Sequence, residues 1–337
     1  MASELIPRFK NQYIQQVNVQ ELDWPRPELL RLDRVQQELW KTIFSPDALQ
    51  YPPPERYEAR VLKELVKKIE GSLVAPDEDD ILDELLSHLA SLLSNANPSE
   101  AVAAQQKSYV TYTFPGNDIS SASPQHITLL ENRTLLFAAG TTGLRTWEDA
   151  LHLGSYLTSS HGRALVEGKN VLELGAGTGL LSILSARHLG AKHVLATDGD
   201  ASVVESIKSN FFLNALDTRA NVECAILRWG TYLGGMDHEG VMSGMFDVIL
   251  GADITYDAKF FPGLVSTFED LLELRPSATI IISAIVRNEK TSEEFVGRCR
   301  ARKFHVEDIP FEREPPSTTL GPFYSDAVPI RIMRITK

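Results

Sequence analysis

The sequence predicts an α/β protein: a largely parallel sheet covered by helices on both faces, closed by an antiparallel last strand, with a helical domain in front of it. Three observations carry this reading. Apolar residues recur at helical spacing through the first 95 residues. From residue 147 onward, helix-like and strand-like segments alternate. The strands in that stretch are apolar throughout, as strands buried on both faces must be.

The helical block comes first. In RPELLRLDRVQQELWKTIF, Leu29, Leu32, Val35, Leu39 and Ile43 recur at helical spacing. In PPERYEARVLKELVKKIEG, Tyr57, Val61, Leu65 and Ile69 step by four, and Gly71 is a natural stop. In DEDDILDELLSHLASLLSN, Leu82, Leu85, Leu86, Leu89 and Leu93 form a stripe, with acids crowding the first turn as the helix dipole favours. These stripes are read as the core of a small bundle at residues 1–95. A small, polar linker at 96–107 separates it from a main domain at 108–337. That domain opens with SYVTYTF and HITLLENRTLLFA, whose β-branched and aromatic runs suit a hairpin.

The alternation then runs as follows. Helix WEDALHLGSYLTS precedes strand NVLEL, and helix LLSILSARHLG precedes strand HVLATD. Helix SVVESIKSNFFLNA is followed by strands NVECAIL and FDVILGAD, then by helix FFPGLVSTFEDLLEL and strand ATIIISAIV. SEEFVGRCRARK is helical, and FHVEDI and AVPIRIMRI close as strands with no clear helix between them. That last feature fits an antiparallel final strand.

Composition narrows the function classes. A formal charge of −12, from 45 acids and 33 bases, excludes the basic face of a nucleic-acid binder and reads as solubility. No apolar run approaches the ~20 residues of a membrane span, and MASELIPRFKNQYIQQ has no apolar signal region. Cys224 and Cys299 form neither a metal-like spacing nor a disulfide framework. The expectation is a cytoplasmic monomer with no metal.

Chemistry enters at the strand ends. In open parallel sheets, ligands sit beyond the carboxyl ends of the strands. The first such end here is ELGAGTGLL, with Gly175, Gly177 and Gly179. A dinucleotide fingerprint, G-x-G-x-x-G, would require glycine where Leu180 stands, and no G-K-[ST] follows to make a P-loop. About twenty residues on, HVLATD ends in Asp198, a carboxylate suited to ribose hydroxyls. A glycine loop without pyrophosphate spacing, plus a ribose acid, fits a nucleoside lacking a pyrophosphate, with S-adenosylmethionine as the candidate. Glu173, just before the loop, either balances the cofactor's positive charge or hydrogen-bonds the loop backbone. A third strand end, GADITYD, sets Asp253 and Tyr256 three residues apart at the end of FDVIL.

With these residues in hand, the chain resembles the seven-β-strand methyltransferases of family 16. That group carries an acid-x-G-x-G-x-G motif, here ELGAGTG (173–179), and an acid-x-x-aromatic motif after the fourth strand, here DITY (253–256). The likeness extends through GTTGLRTWEDALHL, LRWG and VRNEKT. In the front block, YPPPERYEARVLKELVKKIE and SYVTYTF resemble the elongation factor 2 lysine methyltransferase subgroup. The resemblance implies a seven-stranded Rossmann-like methyltransferase sheet, S-adenosylmethionine as cofactor, and a lysine of elongation factor 2 as target. It implies that Trp147 packs near the methionine end of the cofactor, that Trp229 lies against the adenine, and that Ala176 and Ala252 line the pocket. Asp253 then accepts an N–H of the target amine and aims its lone pair, with Tyr256 as a wall. Competing readings are the same chemistry on another protein or a small amine, and an interaction protein that keeps the cofactor fold. The intact Glu173, Gly175, Gly177, Asp198 and Asp253 argue against the last.

Overall fold

The computed structural model describes residues 2–74, 80–95, 106–116, 124–132, 143–231, 246–315, 318–325 and 327–337. Its contacts divide the chain into two compact units: Met1–Thr113 with Pro316–Phe323, and Phe114–Pro315 with Tyr324–Lys337. The expected linker at 96–107 lies almost entirely outside the described residues, as does much of HITLLENRTLLFA.

The first unit contains helices α1 (Ala2–Ile14), α2 (Pro27–Leu30), α3 (Asp33–Leu39), α4 (Glu55–Glu70) and α5 (Asp83–Ser94), then strand β1 (Ser108–Phe114). Its core gathers Phe9, Tyr13, Leu39, Phe44, Leu62 and Leu65. The helix expected across RPELLRLDRVQQELWKTIF is broken at Leu32, which is extended (φ −79°, ψ 121°). On an unbroken helix, Leu30 and Val35 would point about 140° apart. The break lets both reach the core, where they are buried. The chain then leaves α3 through a π turn at Trp40–Phe44. Gly71 does end α4, but with right-handed φ −68° rather than a left-handed turn. On α5 the buried leucines are Leu85 and Leu92, whereas Leu86 and Leu93 of the expected stripe are 39% and 58% exposed. Thr319–Phe323 joins this unit along α1 and the residue after it. Asn11 Nδ2 donates to Leu320 O at 2.9 Å, Phe323 N donates to Gln15 Oε1 at 2.9 Å, and the Arg8 guanidinium donates to Thr319 O.

The second unit holds β2 (Gln125–Glu131), α6 (Glu148–Thr158), α7 (Ser160–Val166), β3 (Asn170–Leu174), α8 (Leu180–Arg187), β4 (His193–Asp198) and α9 (Ala201–Leu213). It continues with β5 (Val222–Ile226), β6 (Val248–Ala252), α10 (Phe261–Leu274), β7 (Thr279–Ile285), α11 (Glu289–Ala301), β8 (His305–Ile309) and β9 (Ile330–Thr336). Seven of these strands form one sheet in the order β5-β4-β3-β6-β7-β9-β8. β3 to β7 pair in parallel, and β9 runs antiparallel to both of its neighbours. Leu172, Ile249, Ile280 and Ile282 of the central strands are buried against Phe261, Phe268 and Phe295 of α10 and α11. Among the described residues, no helix is long and apolar enough to cross a membrane.

This topology fixes where a ligand goes. The chain leaves β3 toward β4 on one side and returns through β6 on the other, which opens a crevice at the carboxyl ends of β3 and β6. Leu174 pairs with Gly251, so the glycine loop and the GADITYD turn leave the sheet side by side.

Candidate active site

The crevice is a cavity of about 470 Å³. Trp147, Glu173, Gly175, Ala176, Gly177, Asp198, Trp229, Ala252, Asp253 and Tyr256 all line it. These residues come from α6, β3, β4, the turn after β5 and the end of β6, and only the strand order brings them together.

The glycine loop is held in a shape that other residues resist. Gly175, Gly177 and Gly179 have φ of 63°, 53° and 83°. A Cβ on Gly175 would come within 2.7 Å of Ile254 Cγ2 and 3.2 Å of Trp229 Cζ2. The absent side chain therefore lets the loop, Ile254 and the Trp229 ring share one wall. Ala176 N donates to Thr197 O at 2.8 Å and Gly179 N to Ala176 O at 2.8 Å. Thr146 Oγ1 donates to Glu131 Oε1 at 2.6 Å and accepts from Thr178 Oγ1 at 2.7 Å, which ties the segment before Trp147 to the loop. Nothing in the sequence marked Thr146 or Thr178, because a hydroxyl pair 32 residues apart has no local pattern.

Two acids brace this loop. Glu173 is buried, and its Oε2 accepts from both Ser182 N at 2.8 Å and the Ser182 hydroxyl. Of the two roles left open for Glu173, the hydrogen bonds seen here tie β3 to the first turn of α8. Burial pushes its carboxyl up to about 8, against the two Ser182 bonds. Asp198 accepts from Gly177 N at 3.2 Å and from Asp200 N at 3.1 Å. Those bonds leave lone pairs on both oxygens, enough for two ribose hydroxyls. Burial raises the Asp198 carboxyl as well.

Asp253 sits at the opposite wall in the left-handed region, at φ 53°. Such a backbone is uncommon for a residue with a side chain and marks a constrained turn. Its N–H donates to Ser283 O at 3.1 Å, which pins the turn to β7. Burial pushes its carboxyl up to about 6, with Arg287 pulling the other way and Glu148 adding to the rise. It is therefore ionised at neutral pH. Tyr256 is 47% exposed at the rim, its ring edge-on to Phe260 with centroids 6.0 Å apart. Phe260 in turn meets Trp229 at 6.1 Å, so the three rings form a continuous aromatic lip. Trp147 starts α6, with the Arg145 guanidinium 4.9 Å and the Arg287 guanidinium 5.9 Å from its ring centroid.

The cavity suits a nucleoside cofactor of the predicted kind. It has a side-chain-free cradle in the glycine loop, a carboxylate with acceptors to spare at Asp198, an indole at Trp229 and carboxyl groups at its far end. Residues 136–302 match the family model described as lysine methyltransferase. The protein-lysine N-methyltransferase EFM3 of Chaetomium thermophilum is 44% identical over 331 residues, which cover 98% of this chain and 97% of that one. EFM3 of Saccharomyces cerevisiae is 33% identical over 237 residues, covering 66% and 64%. The human protein-lysine N-methyltransferase EEF2KMT is 25% identical over 304 residues, covering 86% of each chain.

Proposed function

The chain belongs to the lysine methyltransferase family and is a protein-lysine N-methyltransferase, and from that premise we propose that it methylates a lysine of translation elongation factor 2, using S-adenosylmethionine. The substrate reading is supported by the likeness of the front block to the elongation factor 2 subgroup and by the human relative EEF2KMT. On the same reading it works in the cytoplasm as a monomer.

The observation that carries the proposal is the joining of the glycine loop, Asp198, Asp253 and Tyr256 around one cavity. When bound, the cofactor supplies an electrophilic methyl group. The loop would hold its methionine portion, Asp198 its ribose and Trp229 its adenine. The chain's remaining task is to present a neutral amine in line with that methyl. A free lysine has a pKa near ~10.4, so presenting it neutral at pH 7 costs roughly 4–5 kcal/mol. Neighbouring cations reduce that cost, and Arg287 stands near Asp253. Ionised Asp253 accepts an N–H from the amine and orients the lone pair; the proton leaves to water. Tyr256 and Phe260 line the approach. Alignment of this kind is the main contribution such a site makes to group transfer.

The helical unit is proposed to select the protein substrate, since one lysine on a folded protein needs more recognition surface than the cavity offers. Exposed Leu86 and Leu93, seven residues apart on one face of α5, are its candidate contacts. The test is transfer of labelled methyl from S-adenosylmethionine to purified, unmodified elongation factor 2. Asp253→Ala should lose roughly 100-fold or more in rate while still binding cofactor. A Leu86→Asp, Leu93→Asp double variant should raise KM for the protein with cofactor affinity unchanged. If the wild type binds cofactor but labels no elongation factor 2, the substrate assignment is wrong.

A further inference from the structure

Behind the wall shared by Trp147 and Asp253 lies a carboxyl group that the reaction as described does not use. Asp149 stands in the first turn of α6, two residues after Trp147, and is 0% exposed. Its Oδ2 accepts from Ile285 N at 2.8 Å, where β7 ends. Its Oδ1 is buried and, its own backbone N–H aside, meets no donor among the described residues. A buried, half-satisfied carboxyl costs stability wherever it occurs, so its presence calls for a compensating use. Asp253 comes to the same end of β7, where its N–H donates to Ser283 O two residues before Ile285, and the Arg287 guanidinium lies 5.9 Å from the Trp147 ring centroid. Asp253 and Arg287 are the charged groups that act on Asp149, and Arg287 and Glu148 act on Asp253. Glu173, a buried acid that lines the cavity, is occupied by Ser182.

We propose that Asp149 is the buried counter-charge of the cavity's methyl-donor end: it holds a proton while no cation is present and releases that proton to solvent when the sulfonium of S-adenosylmethionine is seated beside Asp253. The O–H bond of the Asp149 carboxyl breaks, the proton goes to water, and the carboxylate left behind offsets the new positive charge. Asp149 acts on the ligand through the field it sets, as a positioning residue, and makes no contact in the reaction. After methyl transfer the cofactor product carries a neutral thioether. Asp149 then regains its proton, and the preference for the cationic form over the spent form is built into the wall of the site.

The electrostatics agree with this arrangement. Burial first, and the Asp253 charge second, push the Asp149 carboxyl up to about 8, with the Ile285 N–H, its own backbone N–H and Arg287 opposing. Asp149 is fully buried whereas Asp253 lines the cavity, so of the two carboxyl groups Asp149 is the one on which a second negative charge of the pair is harder to place.

This inference rests on the cofactor assignment above, and its test separates the two. Calorimetric titration of the full-length protein near pH 8, in buffers of different ionisation enthalpy, counts protons released per cofactor bound. S-adenosylmethionine is compared with S-adenosylhomocysteine, whose amino acid portion is the same and whose sulfur is neutral. Because burial holds the Asp149 carboxyl above the usual carboxylate range, the wild type should release a larger fraction of a proton with the cationic form than with the neutral one. Asp149→Asn should lose that difference. Asp253→Asn should reduce it, because Asp149 is then more ionised before binding. Retained S-adenosylhomocysteine affinity shows that each variant is folded. Equal proton release with both forms in the wild type, or a difference that survives in Asp149→Asn, overturns the role of Asp149. Absence of binding by either form would instead remove the cofactor assignment.

Discussion

In the helical unit, Gln36 is fully buried, and its amide is satisfied at both ends: it donates to Asp80 O at 3.0 Å and accepts from Leu82 N at 2.8 Å. In the catalytic unit, Asp149 is equally buried, and one of its oxygens meets no donor other than its own backbone N–H among the described residues. The contrast extends to the surroundings. Gln12 and Gln15 near the polar face of α1 each use both amide atoms, on Asp23 and on Phe323. Around the cavity, Asp253 is left-handed, Gly175 would clash if it carried a side chain, and Glu173 and Asp149 are pushed far above the usual carboxylate range by burial. Gln12, Gln15 and Gln36 fix one packing of the helical unit. The catalytic unit gathers a strained acid and carboxyl groups raised by burial around one cavity.

The largest effect that would sharpen this contrast is expected at Gly175. Alanine there must adopt φ 63° and place a methyl group 2.7 Å from Ile254 Cγ2. Left-handed backbone costs about 1–2 kcal/mol, and overpacking about 1–3 kcal/mol more. Gly175→Ala should therefore weaken S-adenosylhomocysteine binding by roughly thirtyfold to a few thousandfold, read by calorimetry, or unfold the catalytic unit. Unchanged affinity would mean that the loop opens easily, and the cradle would lose its claim to be pre-formed.

A middle-sized effect belongs to the helical unit. Gln36→Ala leaves Asp80 O and Leu82 N without their partner, at a cost of about 1–3 kcal/mol. Urea unfolding should show this as a lower first midpoint, with cofactor affinity at native conditions unchanged. A loss of cofactor binding instead would break the division of labour between the two units.

That division was only partly legible in the sequence. Strand ends carrying ELGAGTG, HVLATD and GADITYD each bear a local pattern, because a glycine loop and a terminal acid are adjacent in the chain. The parallel sheet then has to bring those ends together, and it does so through the β3–β4 and β3–β6 pairings. Asp149 and Arg287 lie in segments that share the family resemblance, TWEDA and VRNEKT, but neither has a local pattern that points to the other. They stand 138 positions apart, and their shared place around Asp253 follows from α6 lying against the end of β7. The break at Leu32 and the joining of Thr319–Phe323 to α1 and the residue after it were also invisible, because each is decided by tertiary hydrogen bonding and burial rather than by periodicity.

The smallest expected effect probes how far the catalytic character reaches toward solvent. Tyr256 is half-exposed and contributes a ring to the aromatic lip with Phe260 and Trp229. If the ring is its contribution, Tyr256→Phe keeps the wall and should lower kcat/KM by less than about fivefold, roughly 1 kcal/mol in the transition state. Tyr256→Ala removes the wall and should cost clearly more, mainly in KM for the protein substrate. Should Tyr256→Phe lose activity on the scale of Asp253→Ala, the hydroxyl itself takes part in holding the amine. The strained region would then extend past Asp253 to the rim, and the lip would count as part of the reaction centre rather than as its approach.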